Sequence, residues 1–210
     1  MNQYLVLRLA DPYSWVITGA DGGRLGPVAT GDLVDAAPIA KERQVVVIAP
    51  GPSVTLARPE LPIRAGAKLA QVVPYAMEES LAGEVEQFHF AIGATDAAGA
   101  TQVAALRREE LRGWLDGLVA AGLDPQSVVP DTLCIPDNPG KIVAVIDSGL
   151  LLVRSPGCLP VASRIEYHPA PLELSPERVK RAPCSQLCRG RLKKLRTVSL
   201  VCFALPPHAL

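Results

Sequence analysis

Four carboxylates fall within nine positions, Glu78, Glu79, Glu84 and Glu86. Paired acids of this kind can act as general acid and base when their surroundings push their pKa values apart. Here they follow an apolar helical stripe, where a new helical turn favours acidic residues, so a solvated acidic helix end is the simpler expectation. Such a rim suits the docking of a basic partner. Tyr75, Met77 and Phe88 nearby are expected to supply apolar anchors or core packing. His89 stands between Phe88 and Phe90, and strand alternation turns it away from both rings, toward the surface or a subdomain interface. Asp147-Ser148-Gly149 reads as a tight turn. No serine lies in a G-x-S-x-G context and no G-x-x-x-x-G-K-[ST] loop is present. Cys184-x-x-x-Cys188 has neither a second pair nor a suitably spaced histidine, a poor zinc pattern. The expectation is therefore no catalytic residue and no metal.

The elements that would position these groups alternate between strand and helix. Tyr4–Leu9 and Ser14–Thr18 read as strands, and Asp21-Gly22-Gly23 as a turn after the second. Thr30–Ala37 is expected to be a short helix with Thr30 or Asp32 near its start and Pro38 beyond its end. Gln44–Ala49 (QVVVIA) is an uninterrupted, β-branched apolar run, the signature of a strand covered on both faces. Pro50, Gly51 and Pro52 stop it, and Ser53–Leu56 resumes an extended pattern. Leu69, Val72, Val73, Ala76, Met77 and Leu81 form one helical stripe, with Pro74 inside it predicting a kink or two short helices. FHFAIG and Thr101–Leu106 read as strands. Arg107–Ala121 is the cleanest helix, with Leu111, Trp114, Leu115, Leu118 and Val119 on one face and Gly122 placed for a left-handed cap. A mixed segment over Ser127–Ile135 precedes two strands, Ile142–Ile146 and Leu150–Arg154. This order predicts an α/β architecture.

The 210 residues can bury a core as one domain or two small lobes. Charge balances at 21 basic against 21 acidic residues, which argues against a general nucleic-acid binder. The balance conceals an asymmetry: residues 1–157 hold 12 Lys/Arg and 18 Asp/Glu, whereas residues 158–210 hold 9 and 3. Cysteine divides the same way, with Cys134 alone in the body and Cys158, Cys184, Cys188 and Cys202 in the tail, so the body reads as a reduced protein. The N-terminus has no cationic n-region, and no stretch of 18 apolar residues occurs anywhere, so the expectation is a soluble or peripheral chain.

The segment from Val45 to Gly93, with P-x-x-x-E-E-x-L followed by H-F-A-I-G, resembles the cytoplasmic domain of type II secretion system protein L. The later run LRGWLDGLVAAGLDPQSVVPDTL, with its Gly-Leu-x-Pro corner and Val-Pro-Asp motif, extends the resemblance over roughly residues 1–155. It implies an actin-like, ribonuclease-H-type α/β fold carrying an inserted small subdomain. Residues 1–60 would be first-lobe strands and helix, 61–123 the insertion, and 124–155 the return to the lobe sheet, leaving the second lobe incomplete. It further implies a non-catalytic adaptor that binds the N-terminal domain of the secretion ATPase, contacts other inner-membrane platform proteins, forms a homodimer, and works at the cytoplasmic face of the inner membrane. The partner-binding residues expected are Tyr75, Glu78, Glu79, Glu84 and Glu86, with no cofactor, nucleic acid or small-molecule substrate. The alternative is an actin-like nucleotide-binding protein of type IV pilus assembly. That would need glycine-containing hairpins cradling phosphate, with acids holding Mg²⁺. The first hairpin reads ADPY and lacks glycine, and the second keeps only Asp147 and Gly149 as weak candidates.

Past Gly157 the resemblance is expected to stop. Eight of the 20 prolines lie from Pro156 onward, together with Arg189, Arg191, Lys193, Lys194 and Arg196. Residues 156–210 are expected to be a disordered basic tail, or non-native sequence after a frame shift near Cys158. A basic patch for lipid or nucleic acid is the remaining reading of that segment.

Overall fold

The computed structural model describes residues 3–61, 69–95, 100–136, 138, 142–147 and 149–164. The strands of the described residues form three sheets. Strands β1 (Gln3–Arg8) and β2 (Tyr13–Gly19) form an antiparallel hairpin, and β3 (Ala29–Gly31) pairs with β2. β4 (Gln44–Ala49) lies parallel to β1, and β8 (Pro125–Pro130) parallel to β4, giving the order β3-β2-β1-β4-β8. All of Val45–Ala49 is buried, as an uninterrupted apolar run on a central parallel strand requires.

Two helices cover one face of this main sheet. Helix α1 (Leu33–Ala40) starts three residues later than its sequence suggests: Thr30 belongs to β3, and Asp32 caps the helix, its N–H donating to Asp35 Oδ2 at 3.0 Å. Pro38 falls inside α1 rather than beyond it. Its missing donor removes a single intrahelical bond from an eight-residue helix whose buried Ala36 faces the sheet. Helix α3 (Arg108–Ala120) buries Leu118 against Leu5, Leu7, Val45 and Val47, with Trp114 packed alongside. Gly122 ends it with φ +80°, Leu123 N–H reaching Leu118 O and Gly122 N–H reaching Val119 O, both at 2.9 Å. These two bonds satisfy carbonyls that the last turn would otherwise leave open.

Between β4 and β8 the chain leaves the main sheet. β5 (Val54–Ala57), β6 (Phe88–Thr95) and β7 (Thr101–Arg107) make a second antiparallel sheet ordered β5-β7-β6. Helix α2 (Leu69–Met77) packs on it through Val73 and Met77, which are fully buried against Phe88, Val103 and Ala105. Pro74 lies within α2, and the helix gives way to a 3-10 turn over Glu78–Ser80 instead of running on to Leu81. The helix thus runs through Pro74 rather than splitting there, and the stripe is interrupted three residues later, after Met77. A third sheet, β11-β10-β9, is formed by β9 (Val143–Asp147), β10 (Leu150–Arg154) and β11 (Val161–Arg164). The described residues thus form an α/β fold.

Candidate functional site

The bend at the end of α2 carries the expected partner residues. Tyr75 is 72% exposed on the outer side of the helix. Glu78 and Glu79 lie in the 3-10 turn, Glu84 precedes a second one (Val85–Gln87), and Glu86 lies within it; all four are exposed. Met77 and Phe88 are buried in the second core, so only Tyr75 of the three expected anchors presents its ring to solvent. Alternation along β6 buries Phe88, half-buries Phe90 and exposes His89.

Two arginines hold this acidic loop by its backbone. Arg107 stacks over the Phe88 ring at 5.1 Å and donates to Gln87 Oε1 (3.1 Å) and to Ala82 O. Arg108 Nε donates to Glu86 O at 3.1 Å. Because the guanidinium groups bind carbonyl and amide oxygens, none of the four glutamates is held in an ion pair among the described residues. The result is a carboxylate rim on a fixed backbone. Beside it an open groove of about 550 Å³ is lined by Gln87, Arg107, Arg108, Glu109, Arg112, Gly113 and Asp116.

A second gathering of polar groups lies where the parallel strands end, the edge at which open parallel sheets receive ligands. β1 ends at Arg8, β4 runs into Pro50-Gly51, and β8 runs into Asp131-Thr132. Arg8 Nη1 forms an ion pair with Asp147 Oδ2 at the end of β9, joining the main and third sheets. A Cβ on Gly51 would meet Thr132 Cγ2 at 2.6 Å and Ala162 Cβ at 2.8 Å, and would also strike Asp131 Oδ1, so the segments following β4 and β8 lie closely packed with Ala162 of β11. Burial pushes the Asp131 pKa up, offset by the Gly51 N–H and the Arg8 charge. Asp131 Oδ1 and Thr132 Oγ1 are buried without a hydrogen-bond partner among the described protein atoms. The neighbouring Cys134 thiol is pushed up to about 12, chiefly by desolvation.

Asp147 and Gly149 thus occupy a hairpin whose acid is engaged by a cation of the protein itself. Gly149 takes φ +77°, and a Cβ there would meet open space, while Ser148 lies outside the described residues. The Cys184/Cys188 pair and the basic tail also lie outside them. Among the described residues no group of three or more His, Cys, Asp or Glu could hold a metal, and no helix is long and apolar enough to cross a membrane. Arg8, Gly51 and Asp131 carried no functional signal in the sequence. Their common feature is position: each lies at or just beyond the end of a strand, and the parallel order of β1, β4 and β8 brings them together.

Comparison with known proteins places this architecture. The model of the type II secretion system protein L family matches residues 9–174, which extends past the Gly157 where the resemblance was expected to stop and includes β11. Type II secretion system protein L of Dickeya chrysanthemi is 26% identical over 182 residues, covering 83% of this chain and 45% of that protein. The Vibrio cholerae protein of the same name is 30% identical over 144 residues, covering 65% and 35%. The chain thus spans less than half the length of these relatives. The cytoplasmic domain of EpsL, an inner-membrane component of the Vibrio cholerae type II secretion system, superposes with a TM-score of 0.68 at 26% identity, covering 78% of this chain and 72% of that one. A structure of the PilM–PilN type IV pilus biogenesis complex shares the fold at a TM-score of 0.55 and 18% identity, covering 77% and 61%. With the family model spanning most of its length, the chain belongs to the type II secretion system protein L family.

Proposed function

We propose that this chain is a non-catalytic adaptor of the type II secretion inner-membrane platform, binding the N-terminal domain of the secretion ATPase at the cytoplasmic face and positioning it for export. The observation that carries this reading is the rim of Glu78, Glu79, Glu84 and Glu86 on a backbone fixed by Arg107 and Arg108, with Tyr75 exposed beside it. A rim of carboxylates without ion-pair partners among the described residues steers a basic surface, and a neighbouring exposed aromatic ring supplies the desolvated contact that holds it. The adjoining groove carries both signs of charge, Arg107, Arg108 and Arg112 with Glu109 and Asp116, and so offers further polar contacts to a partner docked on the rim. The inserted second sheet would then be the partner-binding subdomain, and the main and third sheets its support. The Arg8–Asp147 pair favours adaptor over nucleotide binder, because it places a guanidinium where a nucleotide site would need Asp147 for its metal.

Titration calorimetry of the full chain against the N-terminal domain of the same organism's secretion ATPase tests this. Saturable binding, equal with and without ATP, is expected, weakening as salt rises. Glu78→Lys combined with Glu79→Lys should weaken it by about tenfold or more. Absence of binding by a folded chain would remove the reading, and a heat signal from ATP alone would favour the nucleotide-binding alternative.

A further inference from the structure

One concentration of charge has no counterpart among the described residues. Glu78, Glu79, Glu84 and Glu86 are all exposed, and none of them is in an ion pair there. The cations beside them, Arg107 and Arg108, donate to Ala82 O, Gln87 Oε1 and Glu86 O. They hold the backbone of the loop and leave its carboxylates to solvent.

The opposite charge is in the same chain. Residues 178–196 contain eight Lys/Arg and no Asp or Glu, with five of the eight inside 189–196. They lie beyond residue 174, where the match to the family model ends, so this segment is outside the region shared with the family. Arg164 is the last described residue, and Arg189 follows it by 25 positions (189 − 164). That length of chain extends to about 80 Å at ~3.3 Å per residue. A body of this size has a radius of gyration of about 15 Å, so the rim is within reach. Tethering supplies an effective concentration on the order of millimolar, enough to populate a contact built from individually weak surface ion pairs.

We propose that the basic segment 178–196 docks on the rim of Glu78, Glu79, Glu84 and Glu86 in its own chain and competes there with the secretion ATPase. Sign and tethering together select this occupant. A cationic segment covalently joined to an acidic rim meets it without a second molecule, and the rim's fixed backbone keeps its four carboxylates grouped. A basic partner must displace the segment before it can use the rim, so the segment lowers the affinity of the rim for that partner. The competition rests on the reading of the rim as the ATPase surface, whereas the contact within the chain does not.

Carbodiimide cross-linking of the full chain, read by mass spectrometry, provides the test, because it joins a lysine amine only to a carboxylate already in contact. Heavy-isotope chain mixed with unlabelled chain separates links within one chain from links between two. Links from Lys180, Lys193 or Lys194 to the four glutamates are expected within one chain, about threefold or more above those to the likewise exposed Asp21, Glu42 and Asp124. They should fall as salt rises. Arg189→Glu combined with Arg191→Glu keeps the reactive lysines and should cut these links by about threefold or more. In calorimetry the same double variant should bind the N-terminal domain of the secretion ATPase more tightly by a similar factor. Links spread evenly over all exposed carboxylates, links only between chains, or no change in the double variant would each overturn the contact. Rim links with unchanged ATPase affinity in the variant would overturn the competition. Rim links with no ATPase binding by either protein would uphold the contact and remove the ATPase reading alone. Retention on phosphatidylglycerol vesicles without rim links would overturn the contact and assign the segment to a lipid surface.

Discussion

Gly51 shows how a single residue joins two sheets. Its missing Cβ leaves room for Thr132 and for Ala162 of β11, so Gly51→Ala must push the main and third sheets apart locally. The expected cost is about 1–3 kcal/mol, read as a lower urea midpoint. Asp131 beside it makes a prediction with a definite sign. Its folded pKa is raised, so the folded state holds the proton more tightly than the unfolded chain does. Its contribution to stability is therefore greatest at low pH and declines as pH rises through the interval just above the ordinary carboxylate value. Asp131→Asn should flatten that decline, measured by denaturation at a series of pH values. Cys134, buried with its thiol pushed up to about 12, should resist alkylation in the folded protein and react once denaturant is added, followed by mass spectrometry of the labelled peptide.

At the scale of elements, the α2–β6–β7 unit depends on very few core residues. Met77 is fully buried and reaches the sheet from the last residue of α2, next to the acidic turn. Met77→Ala should cost about 2–5 kcal/mol and loosen the second sheet. Amide exchange should then rise in β6 and β7 more than in β1 and β4. Much of this unit was legible beforehand: Val73 and Met77 stand four residues apart on one stripe, and Phe88–Phe90 alternates, although the helix runs through Pro74 instead of dividing there. The bounds of α1 were less legible. Thr30 and Asp32 are both good caps, and only pairing with β2 assigns Thr30 to a strand. Pro38 would ordinarily mark an end, yet the apolar contacts of Ala36, Ala37 and Ile39 with the main core carry the helix past it.

Across the whole molecule, the main and third sheets are joined by the Arg8–Asp147 pair, by Arg154 donating to Ile135 O at 2.9 Å, and by the close approach of Gly51 to Ala162. The Arg8 and Asp147 side chains are 28% and 35% exposed, so solvent screens much of their attraction. Arg8→Ala should cost at most about 1 kcal/mol overall. It should nevertheless speed limited proteolysis within 142–164 relative to the main sheet, because one tie between the sheets is lost.

The amino-acid sequence by itself determined the elements and the family, since apolar periodicity, prolines and glycines act locally and the separated motifs occur in order. QVVVIA could be recognised as a doubly covered strand from composition alone, and Gly122 as a helix stop, because neither depends on a distant partner. Tertiary structure alone decided that Arg8, Gly51, Asp131 and Asp147 meet, that Met77 and Phe88 are core while Tyr75 is surface, and that β6 is the outer strand of its sheet among the described residues. Each of these is a relation between segments tens of residues apart. Parallel pairing across a long crossover leaves no local pattern in the chain, and a strand's place at the centre or rim of a sheet is set by its neighbours rather than by its own residues.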